Sequence, residues 1–358
     1  ANSNYIKWDD PSVEHKDADE DEVIAKIIKQ FNTIQDVMFN AHGHCYGGTH
    51  AFTHGLVKGE LTVHDNLPDH LKQTMFSEPN TFPVAMRYSS EPGDPALDDK
   101  VPAPRGLGMK VFNVPGEKFH QDEDDGVGRD VHDIEFNSAP ILELANAKTC
   151  YDIVNLRMTH GGCPHILSQH LDKREDGQIQ QMRNHLPNNH LVAQTMWSQS
   201  AYRYGDFVCK YRIIPDSEAQ KKLAEQFVDE KSSPNVLRDW MQEYFKSNDA
   251  QYLFQVQLLQ NVKDQPVEDS KYEWDEKKYP FETVATLKIP KQESYSYKRR
   301  TFWQDHMRLD PWHGLKSFKP LGSINRTRKG VYQASSDYRR KMNAREEITL
   351  KDVDEIPN

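Results

Sequence analysis

Thr49-His50-Ala51-Phe52-Thr53-His54-Gly55 runs straight into Leu56-Val57-Lys58-Gly59-Glu60-Leu61-Thr62-Val63. The second half is strand-like. The first half places His50 at the mouth of that strand, between small residues and followed by a second histidine. Histidine is the side chain suited to moving protons near neutral pH. Gly47, Gly48 and Gly55 allow the backbone to pass close to a bulky group.

Outward from this stretch, short strand patterns alternate with turn residues at 56–63, 84–89, 108–114 and 131–137, then at 207–214, 252–259 and 283–289. Phe254-Gln255-Val256-Gln257-Leu258 alternates strictly, as a half-buried strand does. Before the strands, apolar residues from Val23 to Met38 recur at helical spacing. The regions 139–191 and 320–345 also read as helical, the latter basic. Strands with helices inserted and appended predict an α+β chain on an antiparallel barrel. The division is an acidic, solvated arm and amphipathic helix (1–40), one main domain (41–345) and a tail (346–358).

The 358 residues can bury a large core. A mean hydropathy of -0.84 is low, but 10% aromatic residues argue against disorder. A net charge of -10 disfavours nucleic acid and anionic membranes as partners. No apolar run approaches the roughly 18 residues of a membrane span. The cysteines Cys45, Cys150, Cys163 and Cys209 form no CxxC pair and no dense framework, which fits a reducing compartment or an indifferent one; a cytoplasmic or peroxisome-like location is expected over secretion. The chain starts at Ala1, which leaves a removed leader open. The sequon at Asn325 is assigned to a structural helix and given little weight.

Arg328-Lys329-Gly330-Val331-Tyr332 sets a guanidinium and a phenol one helical turn apart, on one face. A phenol that binds ferric iron must lose its proton, and a nearby cation favours that. Tyr332 is therefore the candidate axial ligand of a haem, supported by Arg328. His50 could move a proton between the oxygens of a bound peroxide. Asn137 could donate a hydrogen bond to them, and Thr49 could restrain the imidazole. Arg87 and Arg339, the latter seven residues after Tyr332, are candidate partners for haem propionates. Arg105 reads as structural. Singly, each of these residues has an ordinary reading as a loop, cap or surface group; the set together points to a haem pocket.

The same segments, in order, resemble the catalase superfamily. Thr49-His50-Ala51 is similar to its distal segment and Met86-Arg87-Tyr88-Ser89 to its "RFS" strand. Pro104-Arg105-Gly106-Leu107-Gly108-Met109-Lys110 is similar to a further strand, and Asn137-Ser138-Ala139-Pro140 to its distal asparagine segment. The resemblance spans about residues 40–340. It implies an eight-stranded antiparallel barrel with surrounding helices, and haem b (ferric) between barrel and late helix. It implies His50 and Asn137 distal, Tyr332 proximal, and a homodimer or homotetramer. Two departures stand out. Tyr332 is followed by Gln333-Ala334-Ser335-Ser336, and Thr49 stands where valine is usual, which resembles the coral allene oxide synthases. With a chain shorter than monofunctional catalases, these move the expectation toward an organic or fatty-acid hydroperoxide, cleaved or rearranged. The alternatives are a small catalase acting on hydrogen peroxide, a haem-less binding protein, and a zinc or copper site built from His42, His44, Cys45, His50 and His54.

Overall fold

A computed structural model of the chain describes residues 4–42, 52–91, 98–120, 130–306, 309–343, 350 and 352–358. Among the described residues nine strands form one sheet: β1 (Phe52–Val63), β2 (Thr81–Ser90), β3 (Arg105–Val111), β4 (His132–Asn137), β5 (Met196–Trp197), β6 (Tyr202–Tyr204), β7 (Phe207–Pro215), β8 (Ala250–Leu258) and β9 (Glu282–Ile289). Their order is β5-β4-β3-β2-β1-β9-β8-β7-β6, with β5 also paired to β7. That extra pairing closes eight antiparallel strands into a barrel and leaves β6 as an outer strand on β7. Closure removes the unpaired edges that an open sheet would present. Only Met196↔Ile213 and Trp197↔Arg212 make the β5–β7 seam, so β5 is too short to show in sequence periodicity.

Among the described residues eight α-helices surround the barrel: α1 (Glu20–His42), α2 (Ala147–His160), α3 (Pro164–Asp172), α4 (Gly177–Gln181), α5 (Glu218–Lys222), α6 (Val236–Ser247), α7 (Tyr297–His306) and α8 (Ser323–Asn343). The α+β barrel and the helices expected at 20–40 and 320–345 are present. Alternation along the strands explains the layers. Met86, Tyr88, Leu107, Met109, Ile134, Phe136, Val256 and Leu287 fill the barrel interior. Ile27, Val154, Ile324 and Val331 join α1, α2 and α8 into a helical layer outside it. Asn325 of the sequon is wholly buried and donates to Ala201 O and Leu321 O, which fits its assignment to a structural helix.

The acidic arm is solvated over much of its length but anchored at several points. Ile6 and Trp8 donate backbone hydrogen bonds to Leu259 O and Asp206 O, and Val13 is buried against Trp274. Two of its carboxylates, Glu14 and Glu20, act as counterions, while Asp9, Asp10, Asp17 and Asp19 stay exposed. Arg326 of α8 holds Glu14 at 2.7 Å and Glu20 at 2.8 Å, together with Glu268. A guanidinium has five donors, enough to gather several acids. The tail also packs: Leu350 and Ile356 are buried beside Leu56 and Ala85.

On the outer face of the barrel Lys110 and Asp133 are direct cross-strand partners, 2.6 Å apart and both buried. Asp133 also accepts the Asp310 N–H, which ties the 309–315 segment to the barrel. The nearby cations hold the Asp133 carboxyl well below the usual carboxylate range, despite burial pushing it up. Asp133→Ala leaves a buried, unpaired ammonium. It is expected to cost about 3–5 kcal/mol in urea unfolding; a loss under about 1 kcal/mol, as for a surface pair, would refute this account.

Candidate active site

The site is set by two rows across the sheet. Arg87 pairs with Gly108, and Gly108 with Glu135; Ser89 pairs with Gly106, and Gly106 with Asn137. Members of a row point to one face. Ile134 and Phe136 point into the barrel core, so Glu135 and Asn137 point outward, toward the helices. Gly106 and Gly108 carry no side chain between the two polar columns; the space a Cβ at Gly108 would occupy is taken by the Leu309 side chain. The second row continues to Thr53 of β1, and β1 begins at Phe52.

α8 brings Arg328 and Tyr332 to this outward face. The Tyr332 hydroxyl donates to the Glu135 carboxylate at 2.6 Å. Arg328 is held by Asn325, whose Oδ1 accepts at 3.3 Å from Nη1. The start of α8 is fixed in turn, because Trp312 Nε1 donates to Asn325 O at 2.7 Å. From the barrel core the Tyr211 hydroxyl donates to Glu135 O at 2.8 Å, and its ring lies 5.0 Å from that of Tyr202.

Electrostatics at this cluster pull in opposite directions. Burial opposes the charge of Arg328, but Tyr332, Tyr202 and Glu135 outweigh it and raise its affinity for the proton. Burial raises the Glu135 carboxyl, with Arg328 opposing. Burial and the Glu135 charge push the Tyr332 phenol well above its ordinary value, while Arg328 pulls it down. Arg328, Tyr332 and Glu135 sit deep in the molecule yet stay partly accessible.

The structure brings together four of the candidates, Arg87, Asn137, Arg328 and Tyr332, around β4 and α8. Arg87 is close enough to influence the Glu135 charge. Asn137 ends β4 and its Oδ1 accepts from Ser138 N–H at 2.9 Å. His50 and Thr49 lie outside the described residues, as does Cys45. Arg339 is in α8, but its side chain is outside the described ones. Arg105 is structural as expected: buried, it donates to Ser90 and Asn188. His54 is buried and bonded to Ser90. Among the described residues no three His, Cys, Asp or Glu side chains converge as a metal site. The sequence does not single out Glu135, although its place on β4, at the same parity as Asp133 and Asn137, puts it on the polar face of that strand.

A ferric porphyrin held by tyrosine needs a phenol oxygen beside a cation that favours its anion. Arg328 and Tyr332 meet that requirement, so the residues present fit the group; Glu135, which engages the phenol proton, is the one element that contests it.

A groove of about 580 Å³ lies elsewhere, lined by Ile24, Phe119, Trp312, Arg326 and Lys329 among others. It does not include Tyr332 or Asn137.

No protein-family model matches the chain, and no curated protein matches it by sequence. Solved structures do match by shape. A fungal catalase superposes with a TM-score of 0.62 at 16% identity, over 85% of this chain and 61% of that one. Catalase A from Saccharomyces cerevisiae gives 0.58 at 16%, over 85% and 62%. A bacterial catalase gives 0.55 at 15%, over 85% and 59%. The chain thus has the catalase fold, and it spans about three fifths of the length of these catalases.

Proposed function

We propose that the chain is a haem b enzyme that cleaves or rearranges a peroxide, with an organic or fatty-acid hydroperoxide as substrate. The observation that carries this reading is the half-buried Arg328–Tyr332 pair, with Tyr332 bonded to Glu135 on the strand that bears Asn137. Tyr332 would hold the iron through its phenol oxygen, with Arg328 favouring the anion. Arg87 and Arg339 would pair with propionates. When bound, the haem supplies a Lewis acid and electron donor for O–O cleavage. His50 moves a proton from one peroxide oxygen to the other, Asn137 donates a hydrogen bond to them, and Thr49 restrains the imidazole. The segment bearing His50 and Thr49 leads into β1 at Phe52, beside the row that ends at Asn137. Thr49 in place of valine is the ground for preferring an organic hydroperoxide over hydrogen peroxide. A homodimer or homotetramer belongs to the same reading.

Purified protein supplemented with haem should show a Soret band with high-spin ferric features; no Soret band would sink the haem reading. Hydroperoxide loss should exceed oxygen evolution from hydrogen peroxide. Oxygen evolution at the rate of a true catalase would favour the small-catalase alternative instead. The Glu135–Tyr332 bond favours a second reading, a catalase-fold protein that binds without haem, and the same spectrum separates the two.

A further inference from the structure

We infer that Glu135 competes with haem for Tyr332, and so sets how tightly this chain binds its cofactor. The inference rests on the haem reading above. Glu135 and Tyr332 come from distant parts of the sequence, β4 and α8, and meet at 2.6 Å. Their hydrogen bond has an ionisable acceptor, which makes it one of the stronger kinds. An iron bonded to the phenol oxygen takes the place of the phenol proton, so Tyr332 cannot then donate to Glu135. Without that proton a carboxylate and a phenolate at this distance repel each other. The contact must therefore be given up when the cofactor arrives.

Tyr211 is bonded to the Glu135 backbone oxygen, not to its carboxylate. Arg328 remains beside the carboxylate as a counter-charge, so Glu135 can withdraw without being stranded. The row Arg87–Gly108–Glu135 offers the same service from the barrel side. Glu135 thus acts as a latch: bonded to Tyr332 while the phenol keeps its proton, and released when the tyrosine becomes a ligand.

The test is haem titration of the cofactor-free full chain, read by Soret absorbance and by quenching of tryptophan fluorescence. Wild type is compared with Glu135→Gln and Glu135→Leu. Loss of a charge-assisted bond should tighten haem binding about tenfold or more for Glu135→Leu, with Glu135→Gln between it and wild type. Both variants should keep the wild-type far-UV circular dichroism, and Glu135→Gln, which preserves side-chain size, keeps the test valid if Glu135→Leu folds poorly. Wild-type protein that binds haem, with no gain in either variant, overturns the role of Glu135 and leaves the haem reading intact. Failure of all three proteins to bind haem overturns both.

Discussion

Tyr332→Phe is expected to abolish the retention of haem through purification and to weaken its binding by at least about 100-fold. The substitution removes a single oxygen and keeps the ring. Even residues that only orient a metal ligand alter affinity by roughly 10–100-fold, so the ligand itself should exceed that. The fold should survive. Removing the hydroxyl deletes one hydrogen bond to Glu135, at a cost of about 1–3 kcal/mol, and leaves Glu135 next to Arg328. Haem titration and urea unfolding of the same variant therefore give opposite results: near-complete loss in one and a modest change in the other. An unchanged visible spectrum would show that another residue takes the axial place. Unfolding of the variant without haem would show that Tyr332 serves packing rather than a ligand.

The parts of the structure that the sequence reveals are those governed by local periodicity. β8 alternates Phe254, Val256 and Leu258 against Gln255 and Gln257, and the apolar stripe of α1 repeats at helical spacing. The parts that it hides are set by distant contacts. β5 is two residues long and exists because Met196 and Trp197 bridge β4 to β7. The arm reads as solvated because its acids are visible and their partner, Arg326, is some 300 positions away. The same limit applies at the site. Arg328 and Tyr332 are one helical turn apart, so their pairing is a local matter. The bond between Tyr332 and Glu135 spans a separation of 197 residues, and no spacing rule anticipates it.

Acid should unfold this protein early, with stability falling steeply between about pH 6.5 and 4. Three buried histidines are held neutral. Burial, aided by Arg105, Arg238 and Arg87, takes His54 well below its ordinary value. Burial takes His132 down to about 3 and His190 down to about 4. The two latter rings are used as acceptors: His132 Nδ1 accepts from Leu315 N–H at 2.9 Å and His190 Nδ1 from Val192 N–H at 3.3 Å. Gly314 presses its backbone against the His132 ring, so a charged ring could not easily be rehydrated in place. In the unfolded chain each histidine takes its proton near pH 6.5. Below that value the unfolded state binds more protons than the folded one, and acidification favours unfolding. Asp99 works against this. Burial raises its carboxyl to about 6, so between about 6 and 4 the folded state holds a proton that the unfolded state lacks. Glu135, also raised by burial, offsets the histidines in the same sense, so the difference is about one to two protons, or about 1.4–2.7 kcal/mol per pH unit. Against a typical stability of about 5–15 kcal/mol, two pH units remove much of the whole. Urea unfolding followed from pH 8 to pH 4 should show this slope, and His190→Gln should reduce it by about one proton. A stability that stays flat from pH 7 to pH 5 would mean that these histidines are not held neutral in the folded protein.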